Sequence, residues 1–388
     1  MDFDISDDQR LLKDSVERML ADRYDFETRN KYRKENNGFS KEMWAQFAEL
    51  GLLALPFAEE DGGFGGGATE MMIVMEAFGQ HLIVEPYFAT VVQAGGVLRL
   101  AASESQRQAL IPQIAEGTLI MALAHGEPQA RYNLANIETT ATKDGDGYLV
   151  SGKKALVLNG DTANKLIVSA RTSGDARSKD GISLFVIDCD ASGVNIQGYP
   201  TQDGLRAAEI SLENVHVGAD ALIGPEGDGY QIIERVTDEA IAALCSEAVG
   251  AFSKMHELTL EYIKTRSQFG TAIGAFQSLQ HASVDMFIEL EQSRSMAMYS
   301  TMMSRNEDPA ERVKAVSAAK VQVGKSAAKL GQNAIQLHGG VGMTMEYAIS
   351  HYFKRVTMID KLFGDVDFHL RRLGDLGGLF HPDDLKPS

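Results

Sequence analysis

A chain of 388 residues with a formal net charge of −17 is a poor partner for nucleic acid and for anionic membranes, because both carry the same sign of charge. Its length predicts two or three domains, and no run of about 18 uncharged apolar residues offers a membrane span. The acidic start, Met1–Asp8, lacks the segments of a signal peptide, and Cys189 and Cys245 stand among apolar neighbours. We therefore expect a cytoplasmic protein with buried thiols rather than a disulfide.

The first part of the chain, residues 1–119, has helical periodicity and is predicted to form a helical domain. Ser6 followed by Gln9 has the pattern of a capping box, which marks the start of a helix. A second periodic stretch around Trp44 ends at Pro56, and the glycine-rich segment 61–67 predicts a loop. This glycine run lacks the lysine and hydroxyl residue of a phosphate-binding loop.

Residues 120–225 consist of short runs of β-forming residues separated by turns, of which 144–147 is the clearest. The runs are Gly147–Ser151, Leu166–Ala170, Ile182–Ile187, Ala208–Leu212 and Val215–Val217. Several short strands at this spacing predict a small β-barrel or β-sandwich as the middle domain.

The last part, residues 226–388, returns to helical patterns. Apolar residues recur at helical spacing from Val313 to Ala334, and the glycines after His338 predict where that helix ends. Two motifs in this part fit a nucleotide diphosphate. Arg266–Gly270 offers a permanently charged, forked guanidinium. Gln336–Met343 is dense in glycine, so its backbone can approach a nucleotide closely.

Taken together and in this order, these motifs resemble the acyl-CoA dehydrogenase family. Further matches are Leu50–Pro56 with Glu59–Gly65, Met75–Gly79, Phe276–Gln280 and Thr344–Tyr347, so the resemblance covers essentially the whole chain. It implies an α+β multidomain fold in which the C-terminal domain is a four-helix bundle. It also implies FAD-dependent oxidation of an acyl-CoA thioester to a 2-enoyl-CoA, with electron-transfer flavoprotein as the acceptor.

In that family the FAD site is shared: one subunit's β domain holds the flavin ring, and a neighbouring subunit's C-terminal helices hold the nucleotide. The resemblance implies no metal site, and it assigns the nucleotide role in this chain to eight residues. They are Arg266, Phe269, Gln277, Gln336, Gly339, Gly340, Thr344 and Glu346.

The flavin-facing signatures depart from the family pattern. Gly126–Pro128 stands where the family has Thr-Glu-Pro, and Ala130–Asn133 replaces Ala-Gly-Ser-Asp. In Lys154–Asn159, Leu156 replaces the tryptophan that covers the flavin, and Leu158 replaces a hydroxyl donor. These changes suggest a relaxed demand for flavin binding by this chain's own β domain.

The family's catalytic base is a glutamate that removes the α-proton while a hydride leaves for the flavin. In many members it follows an aromatic residue near the C-terminus, and here that position holds Gly364, with Asp365 next to it. Other members carry it on the helix before the segment 248–250, where this chain has Ala240 flanked by Glu239. Glu239 and Asp365 are therefore the two candidate catalytic residues.

Three interpretations follow. The chain is a self-sufficient homotetramer that uses Glu239 or Asp365, a subunit of a heteromer whose partner carries the glutamate, or a non-catalytic scaffold. We favour the heteromer, because the half-site that serves a neighbour is kept and the half-site that serves this chain is altered. Within the family, the segments 198–204 and 362–365 resemble the small subunits of pimeloyl-CoA dehydrogenases. That resemblance hints at a dicarboxylic acyl group paired with Arg131 or Arg206, and the family implies a dimer of dimers.

Overall fold

The protein is described from a computed structural model that covers residues 5–377. The chain divides into two compact units, each built from separate stretches of sequence. One unit consists of Lys31–Gly67 and Val84–Ala240. The other consists of the described residues of Met1–Asn30, Ala68–Ile83 and Ile241–Ser388.

Helices form the N-terminal part of the chain, as the periodicity predicts. They are α1 (Asp7–Arg23), α2 (Phe26–Tyr32), α3 (Lys41–Glu49), α4 (Ala68–His81), α5 (Gly95–Ala101) and α6 (Glu104–Ala115). The capping box at the start of α1 is confirmed, because the Ser6 hydroxyl accepts from the Gln9 amide and the Gln9 side chain accepts from the Ser6 amide. A π-helical segment, Phe88–Ala94, leads directly into α5.

The middle part is an eight-stranded sheet with the order β6-β7-β3-β2-β4-β5-β8, and β1 pairs in parallel with β4. The strands are β1 (Met121–Ala124), β2 (Thr140–Asp144), β3 (Gly147–Leu158), β4 (Lys165–Arg171), β5 (Ile182–Asp188), β6 (Val194–Pro200), β7 (Arg206–Val217) and β8 (Leu222–Ile223). Alternate side chains from β3, β4, β5 and β7 pack into one apolar core.

One strand prediction was wrong in detail. The runs 208–212 and 215–217 belong to a single strand, β7, rather than to two. The polar break between them is a β-bulge, in which Asn214 adopts a φ of 49° and the register against β3 shifts. A bulge accommodates an extra residue without ending the strand, so the polar Glu213–Asn214 pair did not mark a turn.

The C-terminal part is helical again. It contains α7 (Gly229–Thr265), a short hairpin of β9 (Ser267–Gln268) and β10 (Thr271–Ala272), and then α8 (Gln277–Met303), α9 (Pro309–His338), α10 (Ala348–Lys361) and α11 (Val366–Asp375). Helix α9 is the central element, since α8, α10 and α11 all pack against it. It ends at His338, as predicted, and Gly339 follows with a φ of 60°. None of the helices within residues 5–377 is both long and apolar enough to cross a membrane.

Candidate functional site

The Arg266 motif forms a tight hairpin that projects from the end of α7. Gln268 pairs with Thr271, so Phe269 and Gly270 are the two turn residues, with φ values of 54° and 81°. Two successive positive φ angles define the turn type that matches the twist of a hairpin. Such a conformation is unfavourable for phenylalanine. Burial of the ring does not offset this cost, because Phe269 is 91% exposed. An exposed aromatic side chain on a strained backbone suggests a role in binding rather than in folding.

Contacts between aromatic rings bring the two nucleotide motifs together in space. Tyr262, one turn before Arg266, stacks on His338, which lies inside the second motif, with 4.5 Å between the ring centroids. Tyr347 contacts the same imidazole with a centroid separation of 5.1 Å. The ends of α7 and α9 are therefore neighbours. Sequence reasoning did not single out this cluster, although His338 lies within a motif that it did single out.

The remaining predicted nucleotide residues lie on the hairpin, at the start of α8, and at and after the end of α9. Phe269 packs edge-on against Phe276, which immediately precedes α8 and Gln277. Gln336, Gly339, Gly340, Thr344 and Glu346 follow one another along the exposed end of α9 and the loop after it. Apart from its chain neighbours and the backbone of its own helical turn, no described residue lies within 4 Å of the place where a Cβ on Gly339 or Gly340 would stand.

The Arg266 guanidinium is available for a ligand. The residue is exposed, and its main chain is fixed at both ends, by Tyr262 O at 2.8 Å and by the Ile273 amide at 2.8 Å. Across residues 5–377 its side chain has no ion-pair partner. The alternative role of Arg266, a surface salt bridge along a helix, therefore has no support within this chain.

The segments of the sheet region that the resemblance assigns to the flavin ring are built differently. Gly126 pairs through its carbonyl oxygen with the Ala155 amide at 2.8 Å. A Cβ at position 126 would lie 3.1 Å from the Ala155 carbonyl oxygen, so the threonine usual in the family would crowd the strand. Arg131, in the altered turn that follows, has a φ of 49° and is exposed.

Strand β3 bulges at the position of the missing tryptophan. The register against β7 shifts between Lys154 and Val157, and Leu156 sits at the bulge with a φ of 51°. Its amide donates to Glu209 Oε1 at 3.3 Å, and the Tyr199 hydroxyl donates to the same oxygen at 2.8 Å. Leu156 is 44% exposed, which leaves a branched aliphatic surface where an aromatic cover is expected.

A buried ion pair fixes the two altered signatures to each other. Lys154 donates to Glu127 Oε1 at 2.6 Å, and the side chains are 0% and 2% exposed. The Glu127 carboxylate also accepts from the amides of Glu138 at 2.7 Å and Thr139 at 3.1 Å. Burial alone would raise the pKa of Glu127, but the Lys154 charge and these hydrogen bonds lower it to about 2. The backbone of the flavin-facing half is therefore kept rigid.

Glu239 is engaged in an ion pair. Its carboxylate contacts the Arg99 guanidinium and lies 4.0 Å from Arg235 Nε, and its side chain is 15% exposed. Ala240, the position that matches the family's helical glutamate, is fully buried. A role for Glu239 as a base requires its contact with Arg99 to open when a substrate binds.

Asp365 serves as the N-cap of α11. Its carboxylate accepts from the Phe368 amide at 3.0 Å and lies 3.7 Å from Lys361 Nζ. The hydrogen bond from Phe368 is the largest cause that lowers the pKa of Asp365, because it stabilises the charged form. A capping carboxylate with a lowered pKa is a poor acceptor for a weakly acidic proton.

Comparison with known proteins decides the family. The chain matches the N-terminal domain of acyl-CoA dehydrogenases over residues 6–118, the middle domain over 122–215 and the C-terminal domain over 227–375. It belongs to the acyl-CoA dehydrogenase family. Members of this family are FAD-dependent oxidoreductases.

Three relatives illustrate the range of this acyl-CoA dehydrogenase family. FadE12 of Mycobacterium tuberculosis is 30% identical over 317 residues, which are 80% of this chain and 81% of that protein. The structure of PigA with FAD and proline is 27% identical, with a TM-score of 0.89, and covers 97% of this chain and 99% of PigA. A chain from the crystal structure of the ChsE4-ChsE5 complex from Mycobacterium tuberculosis is 23% identical, with a TM-score of 0.87. The match covers 100% of this chain and 100% of that chain, and it shows the fold alone.

The residues of this acyl-CoA dehydrogenase fit the nucleotide part of FAD better than the flavin ring. The Arg266 guanidinium is unpaired within residues 5–377, and open space surrounds Gly339 and Gly340. In the β domain, by contrast, position 126 has little room for a side chain and Leu156 offers no aromatic cover. The two groups of residues that the resemblance assigns to FAD therefore differ in how well they match the cofactor.

Proposed function

We propose that this chain is the subunit of a heteromeric, FAD-dependent acyl-CoA dehydrogenase that lends its nucleotide-holding residues to a paralogous partner. The partner carries the flavin cradle and the catalytic glutamate. The observation that supports this most strongly is the hairpin beside Arg266: Phe269 at its tip is 91% exposed with a φ of 54°, and within residues 5–377 the exposed Arg266 side chain has no ion-pair partner.

The roles of the nucleotide residues follow from their chemistry. Arg266 would bind the FAD diphosphate through its forked donors, and Phe269 would cover it from the hairpin. Gly339 and Gly340 would let the backbone approach the nucleotide, and Gln277, Gln336, Thr344 and Glu346 would supply polar contacts around it. FAD would accept the hydride in the reaction, and electron-transfer flavoprotein is the proposed acceptor of the electrons that leave the enzyme.

The outer face of α8 supports an assembly of more than one chain. Val284, Phe287 and Ile288 are 56%, 49% and 44% exposed, and they occupy one face of the helix at helical spacing. The opposite face of α8 packs against α9. A helix that is apolar on both faces favours burial on both, and we propose that a neighbouring subunit of a dimer of dimers covers the outer one.

The substrate is proposed to be an acyl-CoA thioester, and a dicarboxylic acyl group finds little support. Arg206, one of the two arginines that could pair with a distal carboxylate, already donates to Asp161 through Nε at 2.8 Å and also through Nη2. Only the exposed Arg131 remains from that pair. The resemblance to the small subunit of a pimeloyl-CoA dehydrogenase therefore bears on assembly more than on the substrate.

The stoichiometry of FAD tests the heteromer against the homotetramer. The tagged chain is expressed alone and with each acyl-CoA dehydrogenase paralogue of the same genome, and bound flavin is measured by absorbance. We expect a colourless chain alone and a yellow complex with about one FAD for every two chains. One FAD per chain in the chain alone, with bleaching by butyryl-, octanoyl- or palmitoyl-CoA, would establish the homotetramer instead.

Two variants sharpen the result. In the complex, Arg266→Ala in this chain should remove most of the bound FAD, while Lys264→Ala, an exposed neighbour on α7, should not. Glu239→Gln tests the alternative base. Unchanged bleaching in a variant that retains its FAD excludes Glu239 as the base. A loss of bleaching with retained FAD would assign the chemistry to this chain.

A further inference from the structure

The turn between α10 and α11, residues 362–365, is held by two buried side chains, a lysine from α9 and a histidine from α11. Lys320 on α9 is fully buried, and its ammonium donates to the carbonyl oxygens of Ile359 at 2.7 Å, Asp360 at 2.8 Å and Gly364 at 2.8 Å. An ammonium has three donors, so these three acceptors use its full capacity. The first two carbonyls belong to the last turn of α10, where the helix dipole favours a positive charge.

His369 on α11 is the second residue that contacts the turn. Its side chain is fully buried, with Nε2 at 3.1 Å from the Phe363 carbonyl oxygen and Nδ1 at 3.0 Å from the Ser317 hydroxyl. Burial, reinforced by the Lys320 charge, lowers the pKa of His369 to about 3, so the ring is neutral at physiological pH. A neutral ring donates through Nε2 to the carbonyl and accepts from the serine hydroxyl through Nδ1.

The conformation that results leaves no room for a side chain at position 364. Phe363 and Gly364 have φ values of 57° and 114°. A Cβ on Gly364 would lie 2.4 Å from Phe368 Cδ1 and 2.7 Å from His369 Nε2. Neither neighbour moves freely, because Phe368 donates its amide to Asp365 and the His369 ring is hydrogen-bonded at both nitrogens.

We infer that this turn has no space for a catalytic base: Lys320 and His369 hold it in a conformation that excludes any side chain at residue 364. Lys320 is a positioning residue, since it acts on the turn through its main chain. His369 holds the Phe363 carbonyl and its ring also occupies the space beside Gly364. The inference rests on the proposed function, where the position after the aromatic residue is one of the two places for a catalytic glutamate. It goes further, because replacing the glycine by glutamate would not restore a base.

The first arm of the test measures thermal unfolding of the full chain. Gly364→Ala should lower the Tm by about 5 °C or more, because it combines a positive φ with steric conflict. Two controls separate these causes. Gly377 has a φ of 84° and no described residue beyond its chain neighbours within 4 Å of a Cβ, so Gly377→Ala should lower the Tm by about 2 °C. Gly374 lies in α11 with an ordinary φ and no described side chain within 4 Å of a Cβ, so Gly374→Ala should leave the Tm unchanged or raise it by about 1–4 °C.

The second arm asks whether Lys320 and His369 are the cause. In a Lys320→Met background, Gly364→Ala should cost less than half of what it costs in the parent chain, because the turn and its neighbours can then shift. In a His369→Ala background the cost should also fall, because the ring that the new Cβ would meet is gone. A purely structural role for Lys320 would lower the Tm of the single variant but would leave the costs additive. Additive costs in the Lys320→Met background would overturn the inference.

The third arm places a carboxylate at the position. Gly364→Glu is expected to lower the Tm and to give no acyl-CoA-dependent bleaching beyond that of the parent, in the chain alone with FAD or in its complex. A stable Gly364→Glu protein with new bleaching would overturn the inference. The Tm arms do not depend on flavin, so a failure of the heteromer proposal would appear in the FAD stoichiometry and leave them interpretable.

Discussion

The ion pair of Lys154 and Glu127 provides the sharpest prediction, because both side chains are almost completely buried. Lys154→Met removes the cation but keeps the length of the side chain. The Glu127 carboxylate would stay buried with its hydrogen bonds from the amides of Glu138 and Thr139. We expect the variant to be destabilised, since breaking a buried pair leaves an uncompensated charge.

The magnitude follows from the cost of breaking a buried pair, since the removal of one partner costs about 3–5 kcal/mol. The pKa values of the two partners show the opposing effects: burial lowers the pKa of Lys154 to about 8, whereas the Lys154 charge outweighs burial at Glu127 and lowers its pKa to about 2. The remaining amide hydrogen bonds favour the lower end of the range. We therefore expect a loss of about 3 kcal/mol, or about 6–12 °C in Tm for a cooperative unit of about 150–250 residues.

The chain offers a local reporter and a matched control for this measurement. Its single tryptophan, Trp44, is buried in the same compact unit as Lys154, so tryptophan fluorescence follows the unfolding of that unit. Lys153→Met changes the adjacent, exposed lysine and should shift the Tm by less than about 2 °C. Equal shifts for the Lys153 and Lys154 variants would refute the reasoning. A double variant with Glu127→Gln should recover part of the loss, because the buried charge is then gone.

The remaining predictions concern pH, the helix cap and the hairpin. The lowered pKa of Glu127 stabilises the folded state above the unfolded pKa of 4.5, and this stabilisation is lost as the pH falls towards 2. Glu127→Gln should therefore flatten the acid side of the curve of stability against pH, measured by Trp44 fluorescence. Asp365→Ala removes the N-cap of α11 and should cost about 1 kcal/mol by denaturant titration, whereas Asp365→Asn should cost little. Phe269→Gly relieves a positive φ and should leave the chain as stable as before or slightly more stable, while FAD retention by the complex falls. Reduced stability of Phe269→Gly with unchanged FAD retention would contradict a binding role.

The order of helices, strands and helices could be predicted because each part has a strong periodic pattern. The capping box at Ser6 and the end of α9 at His338 are local signals, and both are found where the sequence places them. The bulges at Asn214 and Leu156 could not be predicted, since the pairing partner on the neighbouring strand decides them. Bulges are set by tertiary registration rather than by local propensity.

The candidate site shows the same division. The Arg266 and Gln336 motifs could be predicted from the sequence, because charge and glycine content are local properties. Their proximity through Tyr262 and His338 could not, since it depends on how α7 and α9 pack. The lack of space for a side chain at Gly364 could not be predicted either. Phe368 and His369 occupy that space, and their positions follow from the N-cap of α11. The nucleotide role of the Arg266 and Gln336 motifs and the base candidates Glu239 and Asp365 remain predictions.

The exposed apolar face of α8 also has a consequence for the abundance of the protein in the cell. A copy without a companion presents Val284, Phe287 and Ile288 to water, together with the aromatic tip of the hairpin at Phe269. Binding energy from a companion adds to the stability of the folded state by mass action. If the proposed heteromer forms, the abundance of this chain should follow the supply of its partner, with surplus copies removed by chaperones and proteases. Quality control would then set the ratio of the two chains even if they were made in unequal amounts.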